Sequence, residues 1–390
     1  MNFMEAFKQY KWENGNLSDI ADITMGQSPP GNSYNDIKDG IGLINGPTEF
    51  TNKYPVVKQW TSKPTKLCKA GDILLCVRGS STGRMNIADD EYCIGRGVAS
   101  IRAKKDKAET SFIYYTLNYK VNQLLQKTAG STFPNLSSNE IKDMIVGIPL
   151  FAEQQKIASI LSTWDKAIEL KEKLIEQKKE QKKGLMQKLL TGKVRLPGFS
   201  DKWEKKKIGE LLEESKVIAK NPQLDKRITV RLNLKGVCKR EISTVEKEGA
   251  TTQYIRKEGQ FIYGKQNLHK GAFGLIPKEL DGFQSSSDIP CFDFKEGVDG
   301  LWFYYYFSRE SFYTNLENIS SGTGSKRIQP KELYKLTIKL PSLREQQRQS
   351  KILECSDKEI YLLEKELETY RKQKQGLMQL LLTGKVRVKV

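Results

Sequence analysis

Fifteen residues near the middle of the chain, KKGLMQKLLTGKVRL (Lys182–Leu196), return almost unchanged at its end as KQGLMQLLLTGKVRV (Lys374–Val388). Twelve of the fifteen positions are identical, and the offset is 192 residues. The phrase mixes small, apolar, amide and basic residues, so compositional bias does not produce it. A period this long marks duplication of a domain-sized unit, not a solenoid of short repeats. The 390 residues are therefore expected to fold as two similar halves, each large enough for its own core.

The repeat extends upstream. At the same offset and without a gap, Pro149 meets Pro341. Glu153, Gln154 and Gln155 meet Glu345, Gln346 and Gln347, Asp165 meets Asp357, and Ile168 meets Ile360. The starts of the halves match more loosely, as KWENGNLSDI around Trp12 and KWEKKKIGEL around Trp203. Each half thus reads as a Trp-Glu start, a globular stretch, a proline, Glu-Gln-Gln, a long charged segment, and Leu-Thr-Gly-Lys-Val-Arg.

The charged segments are predicted to be helices. Glu153–Leu190 and Glu345–Leu382 contain no proline and one glycine each, Gly184 and Gly376. Glu, Lys, Gln and Leu dominate, and all favour helix. Pro149 and Pro341 punctuate the starts, and Thr191-Gly192 and Thr383-Gly384 the ends. A three-four apolar seam runs along the second segment through Leu353, Ile360, Leu363, Leu367, Tyr370, Leu377 and Leu381, interrupted by Ser356 and Lys374. The first segment keeps the frame with Leu161, Trp164, Ile168, Ile175, Leu185 and Leu189, interrupted by Lys171, Lys178 and Lys182.

Helices of about 57 Å need a partner for such a seam. The expected arrangement is antiparallel pairing of the two within one chain. The alternatives are packing of each helix on its own globular part or on a second chain. Lys178, Lys179, Lys182 and Lys183 fit a solvated face or a phosphate track equally well.

The globular stretches mix strands and helices. DILLCVRG (Asp72–Gly79) and QFIYGKQ (Gln260–Gln266) read as matching strands. Phe112–Gln126 and Leu301–Leu316 read as aromatic-rich helices. The expected architecture is α/β: residues 1–150 as a first domain, 151–196 as a central helix and linker, 197–340 as a second domain, and 341–390 as the pairing helix. Six cysteines without a Cys-x-x-Cys pair, and one histidine, fit free thiols in a reducing cytoplasm better than a zinc cluster. No run of eighteen apolar residues spans a membrane. The start MNFMEAFKQYKW lacks the apolar stretch of a signal peptide.

A net charge of +18 points to a polyanionic partner, nucleic acid first. Several loops carry suitable chemistry, with donors for base edges and phosphates and glycines for close approach. In the first half the candidate DNA contacts are Gln27, Ser28, Asn32, Arg78, Ser80, Ser81, Thr82, Arg84 and Arg96. In the second they are Lys265, Gln266, Asn267, His269, Lys270, Ser325, Lys326 and Arg327. Such loops are also common on any surface.

Catalytic signatures are missing. GQFIYGKQ lacks the Ser or Thr that a phosphate-binding loop places after Gly-Lys to hold magnesium. His269 is the only histidine, and no nucleophile-elbow motif accompanies it. No amino-methyltransferase, helicase or nuclease motif is evident. No catalytic, metal or cofactor-binding residue is expected in this chain.

The paired Pro-x-x-x-x-Gln-Gln openings and the paired GLMQ…LLTGKVR ends resemble the specificity subunit of type I restriction–modification systems. GQSPPGNSYN, GDILLCVRGSSTGRMNIAD and CIGRGVASIR in the first half add to the resemblance, which covers nearly the whole chain. The second half lacks the GQSPPG-like and IGRG-like stretches of the first. The resemblance implies two target recognition domains joined by two antiparallel helices in a pseudo-twofold repeat. Each domain then reads half of a bipartite DNA site, and the helices set the unread gap. It also implies two modification subunits that carry S-adenosylmethionine and methylate adenine N6, and two restriction subunits. Leu185, Met186, Leu189, Leu377, Met378 and Leu381 are the candidate subunit contacts. Packing between the helix ends is the alternative for these six. The competing reading of the chain is a coiled-coil scaffold with non-specific DNA binding.

Overall fold

The computed structural model describes residues 12–127, 135–242, 251–319 and 327–390. The chain forms two compact units, residues 1–172 with 366–390, and residues 173–365. Both boundaries fall inside the long helices, so each unit contains half of each.

In the first unit a four-stranded antiparallel sheet has the order Ala21–Met25, Val98–Ala103, Ile73–Cys76, Met85–Ile87. The central strand ILLC is buried on both faces, which is why it reads as an unbroken apolar run. Ile73 and Leu75 face a core that includes Ile113 and Leu117 of helix α1 (Thr110–Lys127). Leu74 and Cys76 face a second core with Ile44, Phe50 and Ile94. Ile44 and Ile94 belong to a five-stranded sheet whose strands Ile41–Ile44 and Tyr92–Ile94 run parallel.

The second unit repeats this frame. Its four-stranded sheet has the order Leu212–Glu214, Cys291–Phe294, Phe261–Tyr263, Phe273–Leu275. Phe261–Tyr263 occupies the place of ILLC, so the near phosphate-binding phrase GQFIYGKQ is a strand through its middle. The reading of one helix over Leu301–Leu316 is corrected. Helix Gly300–Phe307 ends at Ser308, whose hydroxyl turns back to the Tyr304 carbonyl at 2.8 Å. A short helix restarts at Glu310–Tyr313. Matching two-stranded ladders close the frames, Glu13–Asn16 with Ile145–Ile148 and Glu204–Lys207 with Thr337–Leu340.

The long helices are Phe151–Leu189 and Leu343–Leu381, each 39 residues. Within each unit their halves pair antiparallel, and the lysines that interrupt the seam are the interhelical ion pairs. In the first unit Lys171 meets Glu366 at 2.8 Å, Lys374 meets Asp165, and Arg371 meets Glu172 at 2.5 Å. In the second Lys178 meets Glu359 at 2.6 Å, Lys182 meets Asp357 at 2.5 Å, and Lys179 meets Glu364 at 3.0 Å. Lys183 binds Glu310 at 3.0 Å. All four lysines of the 178–183 cluster therefore hold carboxylates, and the phosphate-track alternative has no support.

The repeated phrase now has a structural meaning, because the end of each repeat binds the first turn of the other repeat's long helix. Arg195 forms a two-pronged ion pair with Glu345, both contacts 2.7 Å, and the Trp203 indole N–H donates to the same carboxylate at 3.0 Å. Arg387 does the same to Glu153 at 2.6 and 2.7 Å, with Trp12 donating at 3.3 Å. Gly192 and Gly384 lie at φ +71° and +67°, against the Trp203 and Trp12 rings respectively. Such positive φ values favour glycine. Gln154 and Gln346, next to these glutamates, each donate to a proline carbonyl and accept from a backbone N–H of the globular part.

Four of the six candidate subunit contacts are corrected by the same geometry. Met186, Leu189, Met378 and Leu381 are buried within their own units. Leu185 and Leu377 are half-buried against the same cores. Each unit uses these side chains to close its helix ends, so the four buried ones are withdrawn from a partner, and Leu185 and Leu377 keep part of their surface exposed.

Candidate nucleic-acid interface

Three loops of the first unit converge by backbone contact. Gly26 N–H donates to the Val98 carbonyl at 2.9 Å, and Gln27 N–H to the Ile94 carbonyl at 3.0 Å. Gly95 N–H donates to the Ile44 carbonyl, and Val77 N–H to the Gly97 carbonyl, both at 2.9 Å. The approach leaves no room for side chains. A Cβ on Gly26 would lie 2.3 Å from the Gly95 carbonyl oxygen, and one on Gly97 would lie 2.6 Å from that of Asn45. This requirement explains Gly26 of GQSPPG and both glycines of IGRG. The junction forms a cleft lined by Ser28, Tyr34, Asn45, Arg78, Arg96 and Gly97.

The charge in this cleft is uncommitted. The first unit has six arginines, and four are engaged. Arg102 binds Asp72 at 2.6 Å, Arg371 binds Glu172, Arg387 binds Glu153, and Arg84 donates to the Pro47 and Phe50 carbonyls at 3.4 and 3.3 Å. Arg78 and Arg96 are exposed and make no ion pair or hydrogen bond among the described residues. Both line the cleft.

The other candidates of this unit are distributed around it. Gln27, Asn32 and Ser80 are exposed, and Ser28 and Ser81 are half-buried. One candidate is corrected, and another, exposed Arg84, has a structural role besides. Thr82 is buried, with its hydroxyl on the Gly79 carbonyl at 2.8 Å. Arg84 holds a neighbouring loop through the two carbonyls already named. Tyr34 and Asn45 were not singled out in the sequence, because LING and NSYN carry no charge to mark them.

In the second unit, the turn after strand Phe261–Tyr263 meets two other segments. Lys265 N–H donates to the Asp288 carbonyl at 3.0 Å, and its own carbonyl accepts from Ile328 N–H at 2.9 Å. Lys265, Asn267 and His269 are half-buried; Gln266 and Lys270 are exposed. Arg327 pairs with Asp288 at 3.4 Å, both side chains exposed. An exposed pair of this kind contributes little and exchanges readily for a phosphate. Ser325 and Lys326 lie outside the described residues.

A buried cation that the sequence did not flag supports this end. Arg256 is 1% exposed. It donates to Ser285 Oγ and the Ser215 carbonyl, each at 2.8 Å, and to the Ile289 carbonyl at 3.3 Å. Burial lowers its pKa from the usual arginine value. By tying both ends of Ser285–Ile289, Arg256 fixes the turn against which Lys265 bonds. RKEGQ reads as an ordinary surface turn, so nothing in the sequence marks this role.

A duplicated α/β frame and paired helices, repeated about one long charged segment in each half, define a protein of two similar units. The chain belongs to the family of the type I restriction modification DNA specificity domain, which matches it twice, over residues 9–179 and 200–369. It is thus a specificity subunit, the non-catalytic DNA-recognition component of such systems. Among its relatives in Methanocaldococcus jannaschii, the type I restriction enzyme MjaVIII specificity subunit is 26% identical over 373 residues, covering 89% of this chain and 84% of that protein. The MjaX specificity subunit is 38% identical over 174 residues, covering 45% of this chain and 41% of that protein. The crystal structure of the type I S subunit from M. genitalium shares the fold, with a TM-score of 0.56 at 15% identity over 96% of each chain. Among the described residues no helix is long and apolar enough to cross a membrane.

Proposed function

We propose that each unit reads one half of a bipartite duplex DNA site, and that in the first unit the cleft holding Arg78 and Arg96 makes the decisive contacts. The observation that carries this reading is the exception these two arginines form. Every other arginine of that unit is spent on the fold. An exposed guanidinium without a protein partner is poised for guanine O6 and N7 or for a phosphate. Ser28, Asn45 and Tyr34 add neutral donors and acceptors to the same surface. In the second unit Lys265, Gln266, Lys270 and Arg327 supply the corresponding contacts around the braced Ser285–Ile289 turn.

On this reading the chain works in the cytoplasm with two modification subunits. S-adenosylmethionine is bound there, and the adenine to be methylated at N6 is flipped into their pockets. Two restriction subunits complete the assembly. The paired helices set the unread gap between the half-sites.

Mapping adenine methylation across the host genome, with the gene present and deleted, tests the proposal. Loss of methylation at one split motif with a fixed gap is the expected result. Unchanged methylation beside an active modification subunit overturns it.

A further inference from the structure

The second unit carries a basic cleft whose lining includes none of its candidate reading residues. It is built where the repeated Thr-Gly-Lys-Val-Arg phrase meets the ladder Glu204–Lys207 with Thr337–Leu340, and its lining includes Arg195, Lys202, Trp203, Glu204, Lys205 and Lys339. The one acid in it, Glu204, is paired with Lys206 at 3.1 Å, and Arg195 is spent on Glu345. Lys202, Lys205 and Lys339 are exposed and have no ion pair among the described residues.

The register makes this arrangement costly. Lys205 stands directly opposite Lys339 in the antiparallel ladder. Like charges at directly opposed positions destabilise a strand pair. The fold does not require them, since the equivalent ladder of the first unit has Asn14 opposite Gly147. Scaffold and latch are repeated, but this charge is not. A repulsive pair kept in a concave site without a protein counter-charge is accounted for by an anion that sits between the two ammonium groups.

We propose that this cleft holds the phosphodiester backbone of duplex DNA, as a base-independent anchor built on the opposed lysine pair that the first unit's ladder does not repeat. The inference rests on the DNA-reading function above. Lysines are point charges that meet phosphates without strict orientation. An acidic peptide is held by arginine forks that pair with its carboxylates, and Arg195, the arginine in this lining, is already paired with Glu345. The only aromatic group here, Trp203, is committed, with its N–H on Glu345 and its ring under Arg195 at 5.5 Å.

The test uses the full chain assembled with its modification subunits, its target duplex, and the double variant Lys205→Gln with Lys339→Gln. Binding is measured across a salt series, on the target and on a duplex altered in one half-site. Loss of two phosphate contacts is expected to reduce the slope of log affinity against log salt by about 1.8. Preference for the target over the altered duplex is expected to stay unchanged. The free variant is expected to melt no lower than the parent, because a repulsion has been removed. An unchanged slope with intact target preference overturns this inference alone. No target preference in the parent chain overturns the DNA-reading function instead. Pyrophosphate titrated at constant ionic strength supplies the other arm. If it binds saturably to the parent but not to the variant while the DNA slope stays unchanged, the cleft serves a free phosphate compound and the DNA anchor is wrong.

Discussion

Arg195 and Glu345 lie 150 residues apart and form a part-buried, two-pronged ion pair that joins the end of the first repeat to the start of the second repeat's long helix. The Glu345 side chain is 0% exposed and Arg195 26%. Arg387 and Glu153 repeat the pair with the copies exchanged. Each compact unit is thereby assembled from both copies, which is why the first unit needs residues 366–390. The phrase appears twice because each occurrence closes a different unit.

Breaking one latch should therefore be expensive. Arg195→Ala leaves the Glu345 carboxylate buried with only an indole and an amide donor, and is expected to cost about 3 kcal/mol. Replacing both residues by leucine should recover much of that loss, because the orphaned charge goes too. Urea unfolding of the three proteins checks this. A cost below about 1 kcal/mol for Arg195→Ala would mean that the latch is not closed in solution.

Asp72 predicts an acid limb in the stability of the first unit. Burial pushes its carboxyl up, but hydrogen bonds from Arg102, the Lys69 N–H and the Ser100 hydroxyl, with the Arg102 charge, outweigh burial and hold it below the usual aspartate range. A folded pKa below the unfolded value of about 3.9 gives stability that is full above that value. It is lost as pH falls through the folded pKa. Asp72→Asn should cost about 2 kcal/mol at pH 7 and flatten the loss below about pH 4. Unfolding midpoints of parent and variant at pH 7 and pH 3 should converge at the lower pH.

The elements legible in the sequence are those specified by spacing. The 192-residue repeat, the long helices, the seam and the strand pair DILLC and QFIY all depend on periodicity along the chain. What stayed hidden depends on who meets whom across it. Arg78, Arg84 and Arg96 look alike in sequence, yet Arg84 is held by carbonyls 34 and 37 residues away. The lysines that interrupt the seam look solvated until the carboxylates of the other helix stand opposite them. The apolar residues of GLMQ…LL look like a sticky end until the helix ends close over them. Arg256 gave no signal because its three partners are a hydroxyl and two carbonyls, which no charge pattern announces.

Arg256 yields its own prediction. Its guanidinium is buried and bonded on three sides without a carboxylate, so Arg256→Ala leaves two carbonyls and a hydroxyl unsatisfied together with a cavity. The expected cost is about 3 kcal/mol. Lysine cannot reproduce the fork and should recover little of the loss. If the turn it braces positions Lys265, Arg256→Lys should also weaken DNA binding at a temperature where the protein remains folded. Melting curves paired with binding isotherms separate the two effects.

The three loop arginines of the first unit give the sharpest contrast. Arg78 and Arg96 have no partner among the described residues, so replacing either by alanine should leave the melting temperature unchanged. DNA binding should fall by about 1–3 kcal/mol for each one that reads a guanine. Arg84→Ala should behave in the opposite way, losing about 1 kcal/mol of stability from two carbonyl contacts while binding changes little. A contact to a base relaxes discrimination at one position, whereas a contact to a phosphate weakens all sequences alike. Binding of each variant to a set of duplexes with single-base changes in the first half-site therefore assigns each arginine to one role. Equal loss of stability in all three variants would mean that Arg78 and Arg96 are structural after all, and that the cleft is not the reading surface.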